Sequence, residues 1–113
     1  MSKLDEKVKK YTEAAEKLNL GLNTNLIRKV TSKLGPSIYN PDAETVSCSD
    51  ADELARVRDN FLKGKLGLTQ PAGDLDAAIA EVCEKMGKSN PRKYRALFYA
   101  LLAKKFGKES VYD

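Results

Sequence analysis

Apolar side chains recur along this chain at three- and four-residue intervals, and glycine or proline interrupts each run. Leu4, Val8, Tyr11, Ala15 and Leu18 form the first stripe, predicting a helix from Ser2 or Asp5 to about Leu18. Leu26, Ile27, Val30 and Leu34 form the second, with Asn23 or Thr24 as its cap and Gly35-Pro36 ending it. A third helix starts at Ser49 or Asp50, carries Leu54, Val57, Phe61 and Leu62, and reaches about Leu66 before Gly67. A fourth, capped by Asp74, presents Leu75, Ala78, Ile79, Val82 and Met86 and stops at Gly87. The last runs over 90–108. Asn90 suits its cap, Pro91 its first position and Gly107 its left-handed close.

That last helix is apolar around most of its circumference. Tyr94, Leu97, Phe98, Leu101, Leu102 and Phe106 share a face, Tyr99 widens it, and Ala96, Ala100 and Ala103 occupy much of the rest. Such a helix is normally central, with others packed against it. No stretch alternates with strand periodicity. The expected fold is all-α: a compact five-helix single domain over 1–113 around a largely buried C-terminal helix.

Between the second and third helices lies a long loop at about 35–49. Pro36 and Pro41 forbid a continuous helix through its first half, although one helical turn fits after Pro41. Ile38, Tyr39 and Val46 give it apolar anchors, so it should be ordered and lie on the core as a lid. The final residues, Val111 and Tyr112 among them, are placed to tuck back onto the body.

At 113 residues with 42% hydrophobic and 32% charged side chains, the chain buries enough surface to fold without metal or disulfides. It has no run of the roughly 20 apolar residues a membrane span needs, and residues 1–10 are too charged for a signal peptide. A cytoplasmic location is therefore expected, and in that reducing compartment Cys48 and Cys83 read as free thiols. Cys83 lies beside a buried stripe and reads as packing. Cys48 precedes a helix N-terminus, a setting that can activate a thiol.

There is no histidine in the chain. This removes the commonest general base, the commonest metal ligand and every Ser/His or Cys/His pair. Asp50, Asp52 and Glu53, and likewise Asp74 and Asp76, have a sufficient reason to stand at helix starts as caps and dipole partners. The Asp50 series lacks a calcium loop's sixth-position glycine, where Ala55 stands. Gly87-Lys88-Ser89 imitates the end of a phosphate-binding P-loop, but Val82 replaces its first glycine and a helix its strand. Neither an enzyme nor a bound cofactor is expected.

Charge is unevenly spread. The net +4 arises because 88–108 holds seven basic residues and no acidic one, while the rest of the chain balances at −3. Lys88, Ser89, Arg92 and Lys93 gather at the expected start of the last helix, where free amide N–H groups favour an anion. Lys104 shares an arc with Arg92, Lys93 and the three alanines, a strip able to approach a phosphate backbone or to seat another helix. Sequence-specific DNA reading is not expected, because a recognition helix must expose polar side chains.

Blocks of this sequence resemble a known family. They are Gly35-Pro36-Ser37-Ile38-Tyr39-Asn40, Leu54-Ala55-Arg56-Val57 with Asn60-Phe61-Leu62, and Lys65-Leu66-Gly67-Leu68. Lys93-Tyr94-Arg95-Ala96 and Lys105-Phe106-Gly107-Lys108-Glu109-Ser110-Val111-Tyr112 complete the set. The family is the small bacterial domain of unknown function numbered 2853, and the similarity covers nearly the whole chain. It implies a single-domain protein with no catalytic residues to carry over. Where members often have a histidine, in a Lys-His-Phe-Gly run, this chain has Lys105, so no role needing that imidazole operates here. The blocks suggest that the 35–40 loop and the C-terminal tail pack together over the last helix, making Gly35, Pro36 and Tyr39 structural. The function expected is a non-catalytic interaction module with a protein partner. The alternative is non-specific nucleic-acid or phosphate binding through the basic C-terminal helix.

Overall fold

A computed structural model describes residues 2–113. α1 is Lys3–Lys17 and α2 is Thr24–Leu34. A 3-10 turn, Gly35–Tyr39, leads into the single-turn α3, Pro41–Glu44. α4 is Ala51–Arg56 and continues unbroken into a π-helical run, Val57–Lys65. α5 is Ala72–Met86, α6 is Arg95–Lys105, and a 3-10 turn, Glu109–Tyr112, follows. The fold is all-helical, with six α-helices among the described residues where five were expected. The sixth is α3, so the expected 35–49 loop is half helical.

Local chemistry accounts for most boundaries. The Asp5 amide donates to Ser2 Oγ and the Ser2 amide to the Asp5 carboxylate, a reciprocal box that starts α1 at its earlier candidate. Asn23 Oδ1 accepts from the Leu26 amide at 2.7 Å to start α2, and Asp50 Oδ1 accepts from the Asp52 and Glu53 amides to start α4. Gly35 ends α2 with φ +63°, a left-handed residue that costs a glycine little. Asp74, expected as the α5 cap, instead lies in its first turn, because the helix begins at Ala72 with Pro71 in the cap position, three residues earlier.

The π-helical run has a sequence cause. Val57, Phe61, Leu62 and Leu66 are the buried positions, a repeat of about 4.5 residues. An α-helix continued from Val57 would turn Gly64 and Lys65 toward the core and carry Leu66 away. The wider turn, closed by the Leu66 amide on the Phe61 carbonyl at 2.9 Å, keeps Leu66 inside.

The core is one cluster. Tyr11 of α1, Ile27 and Val30 of α2, Leu62 of the π-helical run, Leu75 and Ile79 of α5, and Phe98 and Leu102 of α6 are all at most 1% exposed. In α6, Ala96, Leu97, Phe98, Ala100, Leu101, Leu102 and Ala103 are buried, and the helix packs against α2, α5 and α1. Phe61 stacks on Tyr99 with ring centroids 3.9 Å apart. The radius of gyration, 13.1 Å, is the roughly 13 Å expected for a compact chain of this length. Among the described residues, no helix is long and apolar enough to cross a membrane.

α6 starts four residues later than its sequence signals suggest, at Arg95 instead of Pro91. Asn90 does not cap it. The Asn90 side chain donates to the Met86 carbonyl at 3.0 Å, closing α5, and accepts from the Arg92 amide at 2.9 Å. Beyond Pro91 the chain is extended: Thr45 and Tyr94 form an antiparallel bridge, and the Val46 amide donates to the Lys93 carbonyl at 2.8 Å. Pairing with this distant segment replaces the first helical turn that Asn90-Pro91 would otherwise open.

Candidate binding cleft

The 45–49 segment, the second half of α5 and the 88–93 connection enclose a concavity of about 600 Å³. Val46, Leu54, Ala80, Cys83 and Pro91 supply its apolar wall. Ser47, Ser49, Ser89 and Asn90 supply hydroxyl and amide groups, Glu84 and Lys88 the charge at its edge. A concave, mainly apolar site with a few convergent polar groups is the usual form of a binding pocket.

Arg95 does not line the cleft but anchors the segment leading into its Thr45–Val46 edge. Its Nε donates to the Ala43 carbonyl at 2.7 Å, one terminal nitrogen donates to the Thr45 carbonyl at 3.2 Å and to Glu53, and the other to Tyr99 Oη at 3.1 Å. The guanidinium thus ties the end of α3 and the bridge residue Thr45 to α4 and α6. Only the planar fork of an arginine reaches so many acceptors at once. Farther back, Glu44 accepts from Lys7 Nζ and Tyr11 Oη, each at 2.7 Å, with Lys10 at 3.6 Å. Burial raises the Glu44 carboxyl, but these hydrogen bonds and the two lysine charges outweigh it and hold the group below its usual range.

The two cysteines, expected as free thiols, form a disulfide in the cleft wall, with Cα atoms 6.1 Å apart. Sequence separation hid this pairing, because the folding of 45–49 across α5 brings the two residues together. Neither thiol is free, so the expected reactivity of Cys48 as an isolated thiol does not apply. Closing a loop across 35 positions restricts the unfolded chain by roughly 4 kcal/mol.

The five expected anion-binding residues are not assembled. Lys88, Ser89 and Lys93 line the cleft. Lys93, however, is 6% exposed, and its ammonium donates to the Asn90 carbonyl at 2.7 Å and the Lys88 carbonyl at 3.3 Å. It satisfies the carbonyls beyond the C-terminal end of α5, where a cation is favoured. Arg92 is exposed and makes no ion pair among the described residues, and it stands in the extended stretch before α6 rather than at a helix start. Lys88 lies 3.5 Å from Glu84, with its side chain 79% exposed. Lys104 sits at the far end of α6, donating to the Gly21 carbonyl at 2.6 Å. The alanine strip proposed to meet a phosphate backbone is taken by the core itself: Ala96, Ala100 and Ala103 are at most 1% exposed.

The structural loop also differs in detail. Gly35 serves as expected, Pro36 is exposed, and Tyr39 is 46% exposed with Lys7 Nζ 6.0 Å above its ring. The anchor is its neighbour Ile38, 2% exposed. The 3-10 turn packs on α2 and α3, and the C-terminal turn, with Tyr112 buried, packs on α2 and α6. Among the described residues, no group of three or more Cys, Asp or Glu side chains could hold a metal ion.

No curated protein matches the chain. A family model does, over residues 8–110, described as a protein of unknown function (DUF2853). The match spans nearly the whole fold, from the buried stripe of α1 to the C-terminal turn, and the chain belongs to that family.

Proposed function

We propose that this protein is a non-catalytic binding module whose cleft takes a short segment of a partner protein, an apolar side chain beside an acidic group. The observation that carries the reading is the composition of the cleft: an apolar floor with hydroxyls, bordered by Lys88, with Arg92 four positions on, exposed and outside any ion pair among the described residues. The floor would bury the apolar side chain, and the exposed cations would meet the acid. The chain has no histidine, and the cleft offers Glu84 as its single carboxylate, which supports binding over acid–base chemistry. The competing phosphate-backbone reading is weakened by the dispersal of Lys93 and Lys104 onto backbone carbonyls.

The test is an NMR titration of the isotopically labelled protein with a peptide carrying leucine beside two aspartates, its lysine counterpart, and a short DNA duplex. Shifts at 46–49, 80–84 and 88–93 with the acidic peptide, lost in Lys88→Glu/Arg92→Glu, support the reading. Shifts produced by the duplex alone and fading with salt would replace it with anion binding through counterion release. Silence with every probe in the cleft amides would overturn both.

A further inference from the structure

We propose that the Cys48–Cys83 bond is an exchangeable disulfide, opened by a small thiol or dithiol reductant from the cleft, whose loss releases the 47–49 strap. The two halves of the bond are mechanically unlike. Cys83 is 7% exposed and fixed in the buried stripe of α5. Cys48 is partly exposed and sits on the short non-helical stretch after the Thr45 bridge. Both line the cleft, so a reductant entering it meets the bond without the core opening.

The non-covalent anchors of the strap lie on either side of Cys48. Upstream, the Val46 amide is bound to the Lys93 carbonyl and the Thr45 carbonyl to Arg95. Downstream, Asp50 caps α4. Between them, among the described residues, there are only a 3.4 Å contact from the Ser47 amide to Glu53, the Ser47–Ser49 hydroxyl pair at 3.3 Å and the turn bond from the Asp50 amide to the Ser47 carbonyl. Once the sulfurs part to non-bonded separation, that stretch is free to move while both ends stay held.

The exchange balances as follows. A thiolate attacks Sγ of Cys48, the more exposed of the two residues, forming a mixed disulfide and expelling Cys83 as thiolate, which takes up a proton. A second thiol attacks the sulfur of the bound reductant, releasing Cys48, which is protonated in turn, and a small-molecule disulfide. The protein gains two electrons and two protons, and the reductant loses them. That this opens or closes a ligand site rests on the binding reading above; the exchange itself does not.

The experiment treats the full chain with glutathione, follows the bond by maleimide mass shift, and monitors helix content and amide hydrogen exchange in parallel. Reduction in the native protein within roughly tenfold of the rate in denaturant, with helicity retained and faster exchange confined to 47–49, is the expected result. A bond that opens only as fast as the chain unfolds, or a reduced chain that loses its helices, would overturn it. The Cys48→Ser/Cys83→Ser variant provides a stable stand-in for the reduced form. Its affinity for the leucine–aspartate peptide should differ severalfold from that of the oxidised protein. Equal affinities would overturn the gating, whereas absence of binding in both forms would reject the binding reading and leave the exchange to the mass-shift result.

Discussion

Arg95→Lys is the most informative single substitution in this fold. It keeps the charge and removes the fork. In the native protein the guanidinium satisfies the Ala43 and Thr45 carbonyls, Tyr99 Oη and the Glu53 carboxylate, with its side chain only 17% exposed. A lysine ammonium, a point charge on a flexible stem, would keep the pairing with Glu53 and leave at least one of the two carbonyls without its donor. A buried acceptor stripped of its partner costs about 1–3 kcal/mol, and a lost charge-assisted bond a similar amount, so the substitution should cost roughly 3 kcal/mol. With an unfolding entropy of roughly 2.1 cal/mol/K per residue, that lowers the Tm by about 12 °C. Thermal and urea melts followed by circular dichroism measure the loss. Amide exchange at Val46, whose N–H is bound to the Lys93 carbonyl, reports whether the segment has come loose. Glu53→Gln retains an acceptor and should cost less. If Arg95→Lys melts within about 1 kcal/mol of the parent with Val46 still protected, the fork is not what holds this segment, and the account of Arg95 fails.

Two further outcomes follow from the burial pattern. Ile38→Ala should cost about 2–4 kcal/mol, as for other fully buried isoleucines, whereas Tyr39→Ala should stay within about 1 kcal/mol, the scale of an exposed cation–π contact; reversed magnitudes in paired urea melts would reject Ile38 as the anchor. Glu44, whose carboxyl is held below its ordinary value of 4.5 by Lys7, Tyr11 and Lys10 despite burial, contributes stability present above that pH and lost as pH falls through the lower native value. Glu44→Gln should therefore flatten the acid limb of Tm against pH, and an unchanged limb would place the acid sensitivity elsewhere.

Much of this architecture was legible in the apolar intervals, because the long helices bury apolar faces that are read directly from residues such as Val8, Ile27, Val82 and Leu101. What the intervals could not carry is anything decided by segments distant in sequence. Asn90-Pro91 has good local helix-start chemistry, yet the bridge between Thr45 and Tyr94 takes the residues that would form the first turn. Lys93 reads as a surface charge until the carbonyls at Lys88 and Asn90 are placed around it. The cysteine pair follows the same logic: the sequence separation of 35 says nothing about distance, and only the path of 45–49 across α5 joins them. Tyr39 and Ile38 are adjacent apolar residues on a loop, and which one turns inward depends on the 3-10 geometry of Gly35–Tyr39 rather than on composition.

The widened turns of Val57–Lys65 also bear on how related chains should be aligned. Each i→i+5 closure holds one residue more than an ordinary helical turn, so this run contains a surplus position. A chain lacking one residue between Leu62 and Leu66 could wind as plain α-helix and still deliver the equivalent leucine to the same face, eight places after Val57 instead of nine. A one-residue gap here would therefore mark a change of helical pitch and leave the core intact, whereas the same gap inside α5, where Leu75, Ala78, Ile79 and Val82 are spaced for ordinary turns, would rotate half the stripe into solvent.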